Sequence, residues 1–217
     1  MSGISDLLLL LAIVLDLAVV ASSRLNGCIR ASALQGLVLA LLPIAFMWEG
    51  SGVNPIHAIV LAAALLLLKA VLIPSLLLRA VREADVRREV EPFVSLHLSL
   101  LLATVLVGIS FGLSTVLVLP HPAPSVVVVP ASLATLLTGF LVLVSRRQAV
   151  TQVVGYLLLE NGVAIFGQTL ARAIPFAAEL AILLDLLVGV FVMGIAINHI
   201  SREFDHIDTE KLASLKG

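Results

Sequence analysis

Apolar runs of about 20 residues follow one another along almost the whole chain, and short segments that hold most of the charged residues separate them. The runs are rich in Leu, Val and Ala and lack the polar–apolar alternation of a membrane β-strand. Hydrophobic residues make up 60% of the 217 residues and charged residues only 12%, too few to cover a soluble domain of this size. The sequence therefore predicts an all-α, multi-pass membrane helix bundle.

We expect about seven transmembrane helices, because seven runs are long enough to cross a hydrocarbon core of about 30 Å. The predicted spans are 4–23, 31–49, 55–80, 93–119, 126–145, 150–171 and 176–199. Arginines follow the first, third and fifth spans, and Lys and Arg follow the seventh, so the positive-inside rule places the N-terminus outside and the C-terminus in the cytoplasm. The first run has no basic residues before it and no clear cleavage site, which favours a retained helix over a signal peptide.

Composition also excludes several kinds of site. The single cysteine, Cys28, rules out an internal disulfide and a thiolate metal cage within the chain. The net charge of -1 and the lack of a basic stripe argue against nucleic-acid binding. From composition we therefore expect no disulfide, no thiolate-bound metal and no nucleic-acid site in this chain.

Four ionisable residues fall near the middle of the membrane in four different predicted helices: Asp16, Lys69, Glu160 and Asp185. An ionisable side chain at that depth is costly and is expected to face protein or water and to have a partner. Carboxylates and an amine at one depth form the kind of lateral polar row that proton relays use. Two structural readings stay open, in which Asp16 is a neutral acid hydrogen-bonded to a neighbouring helix and Lys69 belongs to a structural ion pair.

Other polar residues accompany this row. His97 lies inside the fourth span, where a lone histidine is either a proton carrier or a hydrogen-bonded packing residue. Asn161 adjoins Glu160, and the pair Arg146 and Arg147 precedes the sixth span. We predict that these three residues support the path.

Three stretches carry a family resemblance: SRRQAVTQVVGYLLLENG at 145–162, LKAVLIP at 68–74 and IDTEKLASLKG at 207–217. They resemble the component E subunit of hydrogenase-4 and of related group 4 nickel-iron hydrogenase complexes. The region from about 126 onward resembles the K subunit of respiratory complex I and its counterpart in cation/proton antiporters. The resemblance implies an N-terminal four-helix membrane region (1–125), a three-helix K-like region (126–199) and a cytoplasmic tail (200–217).

In the K subunit family an arginine pair precedes a helix that carries a membrane glutamate, and a second glutamate lies in the next helix. Aligning the arginines and Gly155 puts the first glutamate at Leu157, so that Glu160 lies about one helical turn further on and nearly on the same face. Asp185 matches the second glutamate. Both positions thus keep a carboxylate, although Glu160 is displaced along its helix and Asp185 is an aspartate where the family has a glutamate.

The resemblance implies a non-catalytic membrane subunit of a complex-I-like group 4 hydrogenase complex in the prokaryotic cytoplasmic (inner) membrane. The subunit would contribute ionisable residues to a proton (or sodium) path coupled to redox chemistry in a peripheral arm. The implied partners are antiporter-like and ion-channel-like membrane subunits, a cytoplasmic hydrogenase-like arm and the lipid bilayer. A nickel-iron centre and iron–sulfur clusters are expected in partner subunits, because such centres need several cysteines. The resemblance thus implies no catalytic residue, no bound cofactor and no metal in this chain.

Other functions stay open. The chain could be a structural linker of that membrane arm whose buried charges only fix helix register, or a subunit of a cation/proton antiporter. A stand-alone secondary transporter is disfavoured, because such proteins interrupt helices at matching positions in two halves. Here Pro43 and Pro74 both lie in the first half of the chain.

Overall fold

The computed structural model describes residues 3–50, 54–83, 93–117 and 125–170. The helices are α1 (Ile4–Ala21), α2 (Leu25–Trp48), α3 (Pro55–Leu65), α4 (Ile73–Glu83), α5 (Leu96–Val116), α6 (Val128–Ser145) and α7 (Ala149–Leu170), and a π-helical segment at Leu66–Leu72 joins α3 to α4. No β-strand occurs in these ranges. Six helical spans are long and apolar enough to cross a membrane when α3, the π segment and α4 count as one. The seventh predicted span, 176–199, lies outside the described residues.

Local capping sets the start of two helices. The Asn54 side chain accepts a hydrogen bond from the Ile56 amide at 3.0 Å, and Pro55 occupies the first turn, where a missing N–H costs nothing. The Ser95 hydroxyl accepts from the Leu98 amide at 3.4 Å and caps α5. These two starts agree with the predicted ones to within a few residues.

The start of α2 differs from the prediction. The helix begins at Leu25, directly after Arg24 in extended conformation, and not at residue 31. Three residues are enough to turn the chain after α1, so the first turns of α2 extend past the apolar run and place the exposed Arg30 on the helix surface. The charged residues marked the start of the apolar run but not the start of the helix, which lies six residues earlier.

The third span is also not a uniform α-helix. Pro74 lacks an amide hydrogen, and its ring would clash with the carbonyl of Ala70 in a regular α-helix. The wider turns of the π segment lie directly before this proline and contain Lys69. At Gly36 in α2 an added Cβ would lie 2.8 Å from the Lys69 carbonyl oxygen, so α2 packs against the backbone of the π segment at this lysine.

Within the described residues α6 and α7 form the most closely packed antiparallel pair, because glycines bring their backbones together. An added Cβ at Gly155 would lie 2.6 Å from the Leu143 amide nitrogen, and one at Gly162 would lie 2.5 Å from that of Leu136. Any side chain at these glycines would push the two helices apart.

Contacts at the two ends of the bundle fix the helix directions. At one end, Glu49 after α2 accepts hydrogen bonds from the Ser5 amide at 2.9 Å and the Ser5 hydroxyl at 2.5 Å, and the Ser125 hydroxyl before α6 donates to Asp6. At the other end, Arg146 after α6 donates to the Val20 carbonyl at 2.8 Å. Thus α1 is antiparallel to α2 and parallel to α6.

The apolar interior consists mainly of two clusters at different depths. The arginine-end cluster lies among α1, α2, α4 and α7 and includes Val19, Leu25, Ile29, Ile73, Leu77 and Leu158. The Glu49-end cluster lies among α1, α2, α6 and α7 and includes Leu9, Ile13, Leu39, Leu42, Ala131 and Ile165. Within the described residues α2 and α6 are the most deeply buried spans, since 61% of the apolar stretch of each is buried, against 17% for α5.

Candidate functional site

A layer of buried polar side chains lies inside the bundle, and we call it the polar layer. Its members come from α1, α2, the π segment, α6 and α7, and each is at most 6% exposed: Asp16, Gln35, Lys69, Thr135, Glu160 and Asn161. Hydrogen bonds join all six into one connected chain. Polar groups so far from water are tolerated when they satisfy one another.

An ion pair forms one end of the polar layer. The Lys69 ammonium donates to Glu160 Oε1 at 2.8 Å, and the two side chains are 4% and 3% exposed. The same ammonium donates to Asn161 Oδ1 at 2.7 Å. Because Glu160 and Asn161 are consecutive in α7, one turn of that helix presents both oxygens to Lys69.

Two side-chain amides connect this ion pair to Asp16. Asn161 Nδ2 donates to Gln35 Oε1 at 2.9 Å, and Gln35 Nε2 donates to Asp16 Oδ1 at 2.6 Å. The other carboxylate oxygen of Asp16 accepts a hydrogen bond from the Thr135 hydroxyl at 2.6 Å. Both oxygens of Asp16 are therefore hydrogen-bonded to neighbouring helices.

The two apolar clusters lie on either side of the polar layer. In α1, Asp16 lies between Ile13 of the Glu49-end cluster and Val19 of the arginine-end cluster. The same order holds in α2, where Gln35 lies between clustered residues 31 and 38, and in α7, where residues 160 and 161 lie between 158 and 165. Apolar neighbours lower the local dielectric constant, which strengthens the electrostatic interactions within the layer.

One buried oxygen of the layer is open. Glu160 Oε2 has no hydrogen-bond partner among the residues that the structure describes. On the surface of α7, Glu160 lies about one turn from the exposed side chains of Tyr156 and Val163. The oxygen without a partner is thus at the ion-pair end of the layer, whereas both carboxylate oxygens of Asp16 at the other end accept hydrogen bonds.

The structure brings together four of the predicted site residues: Asp16, Lys69, Glu160 and Asn161. Asp185 lies outside the described residues. His97 is exposed in the first turn of α5, and no hydrogen bond found within the polar layer involves it. The roles of Asp185 and His97 stay predictions.

The two predicted supporting arginines lie at the end of the bundle and not in the layer. Arg146 is 2% exposed, and its Nη1 has no partner among the described residues. Burial lowers the pKa of its guanidinium from the usual value, but an arginine keeps its proton at neutral pH. Arg147 is exposed and stacks over the Phe93 ring at 4.6 Å from the centroid. Both fix the α6–α7 connection.

Reasoning from the sequence missed two members of the layer. Gln35 is an amide in the middle of an apolar run, which is a usable signal for a buried polar contact. Thr135 gave no such signal, because threonine is common in membrane helices and satisfies its own hydroxyl within the helix. Gln35 and Thr135 belong to the layer because of the side chains that lie next to them in the fold, which the sequence does not show.

The layer contains groups that bind and exchange protons. An ammonium and a carboxylate within hydrogen-bond distance can pass a proton directly. Within the described ranges, no group of three or more His, Cys, Asp or Glu residues is placed to hold a metal ion. The side chains of the layer can thus pair charges and exchange protons with one another.

Comparison with known proteins gives relatives of two names, whereas no protein-family model and no solved structure matches the chain. One stretch of 86 residues is 35% identical to hydrogenase-4 component E of Escherichia coli K12, covering 40% of this chain and 40% of that protein, and the Shigella flexneri protein of the same name matches equally. This partial similarity agrees with the resemblance found in the sequence. Over 193 residues the chain is 34% identical to uncharacterized protein Rv0085 of Mycobacterium tuberculosis, covering 88% of this chain and 86% of that protein. The chain therefore belongs to the family of Rv0085.

Proposed function

We propose that this chain is a non-catalytic membrane subunit of a complex-I-like group 4 hydrogenase complex, and that its polar layer is part of a proton path coupled to redox chemistry in a peripheral arm. The buried Lys69–Glu160 pair, in one layer with Asp16, carries this proposal. The partial similarity to hydrogenase-4 component E supports the assignment to such a complex.

The path runs parallel to the membrane plane in this proposal. Within the described residues apolar clusters lie on both sides of the polar layer along α1, α2 and α7, so in this proposal the layer extends sideways. A proton moves between Lys69 Nζ and Glu160 Oε1, which are 2.8 Å apart, and enters or leaves through the open oxygen Glu160 Oε2. Asp185 and His97 are predicted members of the path beyond the described cluster.

The polar layer favours protons over sodium ions. Hard cations are bound by several oxygen ligands. The Lys69 ammonium already contacts the oxygens of Glu160 and Asn161 that such an ion would need. A proton requires no coordination shell and can pass between the same atoms.

The partners follow from the proposed assembly. They are antiporter-like and ion-channel-like membrane subunits and a cytoplasmic hydrogenase-like arm, in the prokaryotic cytoplasmic membrane. Any nickel-iron centre and iron–sulfur clusters belong to those subunits, because this chain has a single cysteine.

The test uses inverted membrane vesicles from cells that assemble the chain in its complex. Glu160→Gln keeps the side-chain shape and removes the exchangeable proton, so we expect redox-driven proton uptake per assembled chain to fall at least about 100-fold. Tyr156→Phe is the matched control, because Tyr156 lies one turn earlier in the same helix and is exposed. Wild-type proton uptake by an assembled Glu160→Gln complex would refute the proposal.

One observation favours a second function, that of a structural linker. Both oxygens of Asp16 are hydrogen-bonded, as expected of a group that only fixes the register of α1, α2 and α6. For a linker, Glu160→Gln lowers the amount of assembled complex and leaves proton uptake per complex unchanged. The ratio of uptake to assembled chain distinguishes the two functions.

A further inference from the structure

The hydrogen bonds between Lys69 and Asp16 all point in one direction, and the lysine imposes it. An ammonium only donates, so Asn161 must turn its oxygen toward Lys69 and its NH₂ group toward Gln35. Gln35 must then accept with its oxygen, which leaves its NH₂ group for Asp16. The order cation, amide, amide, carboxylate is therefore the one in which every polar group has a complementary neighbour.

This arrangement aligns two amide dipoles between the Lys69 ammonium, which donates, and the Asp16 carboxyl group, whose Oδ1 accepts. The three bonds measure 2.7, 2.9 and 2.6 Å from the lysine to the aspartate. In a low-dielectric interior, consecutive hydrogen bonds polarise one another. A change of charge at one end therefore alters the interaction energy at the other.

The same two amides do not carry a proton at these positions. An amide NH₂ group does not release a proton in the pH range in which lysine and carboxyl groups exchange theirs. The amide also has no hydroxyl that could accept one proton while releasing another. The direct contact of Lys69 with Glu160 has no such group in it. Asp16 is thus separated from the proton-exchanging pair by two groups that transmit an electric field but not a proton.

We infer that Gln35 and Asn161 are positioning residues that form a polarised amide bridge, which couples the charge of Asp16 to the Lys69–Glu160 pair and keeps the proton from crossing to Asp16. The inference deepens the proposed function and rests on it wherever translocation is measured. It divides the three charged residues into an exchanging pair, Lys69 and Glu160, and a fixed counter-charge, Asp16.

The first test is a double-mutant cycle in the vesicle assay. Asp16→Asn and Asn161→Leu should each lower proton uptake about tenfold, within the 5- to 150-fold range of coupled sites, whereas Glu160→Gln abolishes it. The double variant should lose no more than either single variant, because both remove the same coupling. Multiplying losses, or a complete loss in Asp16→Asn alone, would overturn the inference.

Two further variants separate coupling from packing. Gln35→Met breaks the bridge from α2 and replaces Asn161→Leu in the cycle if that variant does not assemble. The double variant Gln35→Asn with Asn161→Gln keeps both amides and their summed length. It should therefore recover at least half of the uptake that is lost in Asn161→Leu or in Gln35→Met. Failure to recover in a complex that assembles normally would assign these residues to packing alone.

An infrared measurement tests the bridge without translocation. In the purified complex, the carboxylate band of Asp16 is identified as the one that Asp16→Asn removes. Glu160→Gln should shift this band in the wild-type background and leave it in place when Asn161→Leu is also present. A band that Glu160→Gln does not move would refute the bridge even if translocation is lost, and a moving band with intact translocation would refute only the proposed function.

Discussion

Lys69 and Glu160, 91 residues apart in the sequence, form an ion pair of 2.8 Å in which neither side chain is more than 4% exposed. The π segment presents the lysine and the middle of α7 presents the glutamate. A buried pair of this kind gives little net stability over apolar residues of the same volume, but loss of one partner leaves an uncompensated charge. The pair is therefore sensitive to single substitutions.

Removing one charge of this pair should destabilise the protein more than removing both. Lys69→Met alone should lower the free energy of unfolding by about 3–5 kcal/mol, because it leaves Glu160 without its counter-charge in an apolar interior. Lys69→Met combined with Glu160→Leu should recover most of that loss. Circular dichroism during denaturant titration of the detergent-solubilised protein measures both. A double variant less stable than the single one would contradict this account.

Packing of α2 against the π segment should depend on Gly36. A leucine there would collide with the Lys69 backbone, which an added Cβ already approaches to 2.8 Å, so Gly36→Leu should cost about 1–3 kcal/mol or prevent assembly. Gly108→Leu in α5 is the control, because no atom of the described residues lies within 4 Å of its added Cβ. Thermal unfolding in detergent compares them, and equal losses of Tm would disprove a specific contact at Gly36.

The two adjacent arginines should differ in their effect on stability. Arg146 is buried and donates to the Val20 carbonyl, so Arg146→Ala should cost about 1.5–3 kcal/mol, as expected for a hydrogen bond from a charged group. Arg147 is exposed over Phe93, and Arg147→Ala should cost about 0.5–1 kcal/mol. Denaturant titration ranks the two variants. The reverse ranking would show that Val20 is not the anchor of the α6–α7 connection.

The predicted orientation in the membrane can be tested by cysteine labelling. Val126, 89% exposed before α6, is expected outside, and the exposed Ser23 between α1 and α2 is expected in the cytoplasm. A membrane-impermeant maleimide should label Val126→Cys in intact cells and Ser23→Cys only after permeabilisation. Wild-type protein provides the background, because Cys28 is 4% exposed. Labelling in the opposite pattern would invert the orientation.

The sequence predicted the helical architecture to within a few residues at most boundaries. Apolar runs of sufficient length must be helices in a bilayer, because their backbone groups have no other partners there. The six spans in the described residues follow from that requirement, and the capping residues Asn54 and Ser95 mark two of the starts. The π segment was not predicted, because Pro74 indicates a disturbed helix but not the form that the disturbance takes.

For the candidate site, the sequence determined depth. Each residue advances a helix by about 1.5 Å, so counting from the ends of the spans was enough to place Asp16, Lys69 and Glu160 at one level of the membrane. Counting says nothing about which helices are neighbours or which way each one is rotated. Only the packing of α2 on the π segment at Gly36, and of α6 on α7 at their glycines, decides those two quantities. The tertiary structure therefore decided that Lys69 reaches Glu160 directly and Asp16 only through Gln35 and Asn161, since hydrogen bonds require side chains that face each other within about 3 Å.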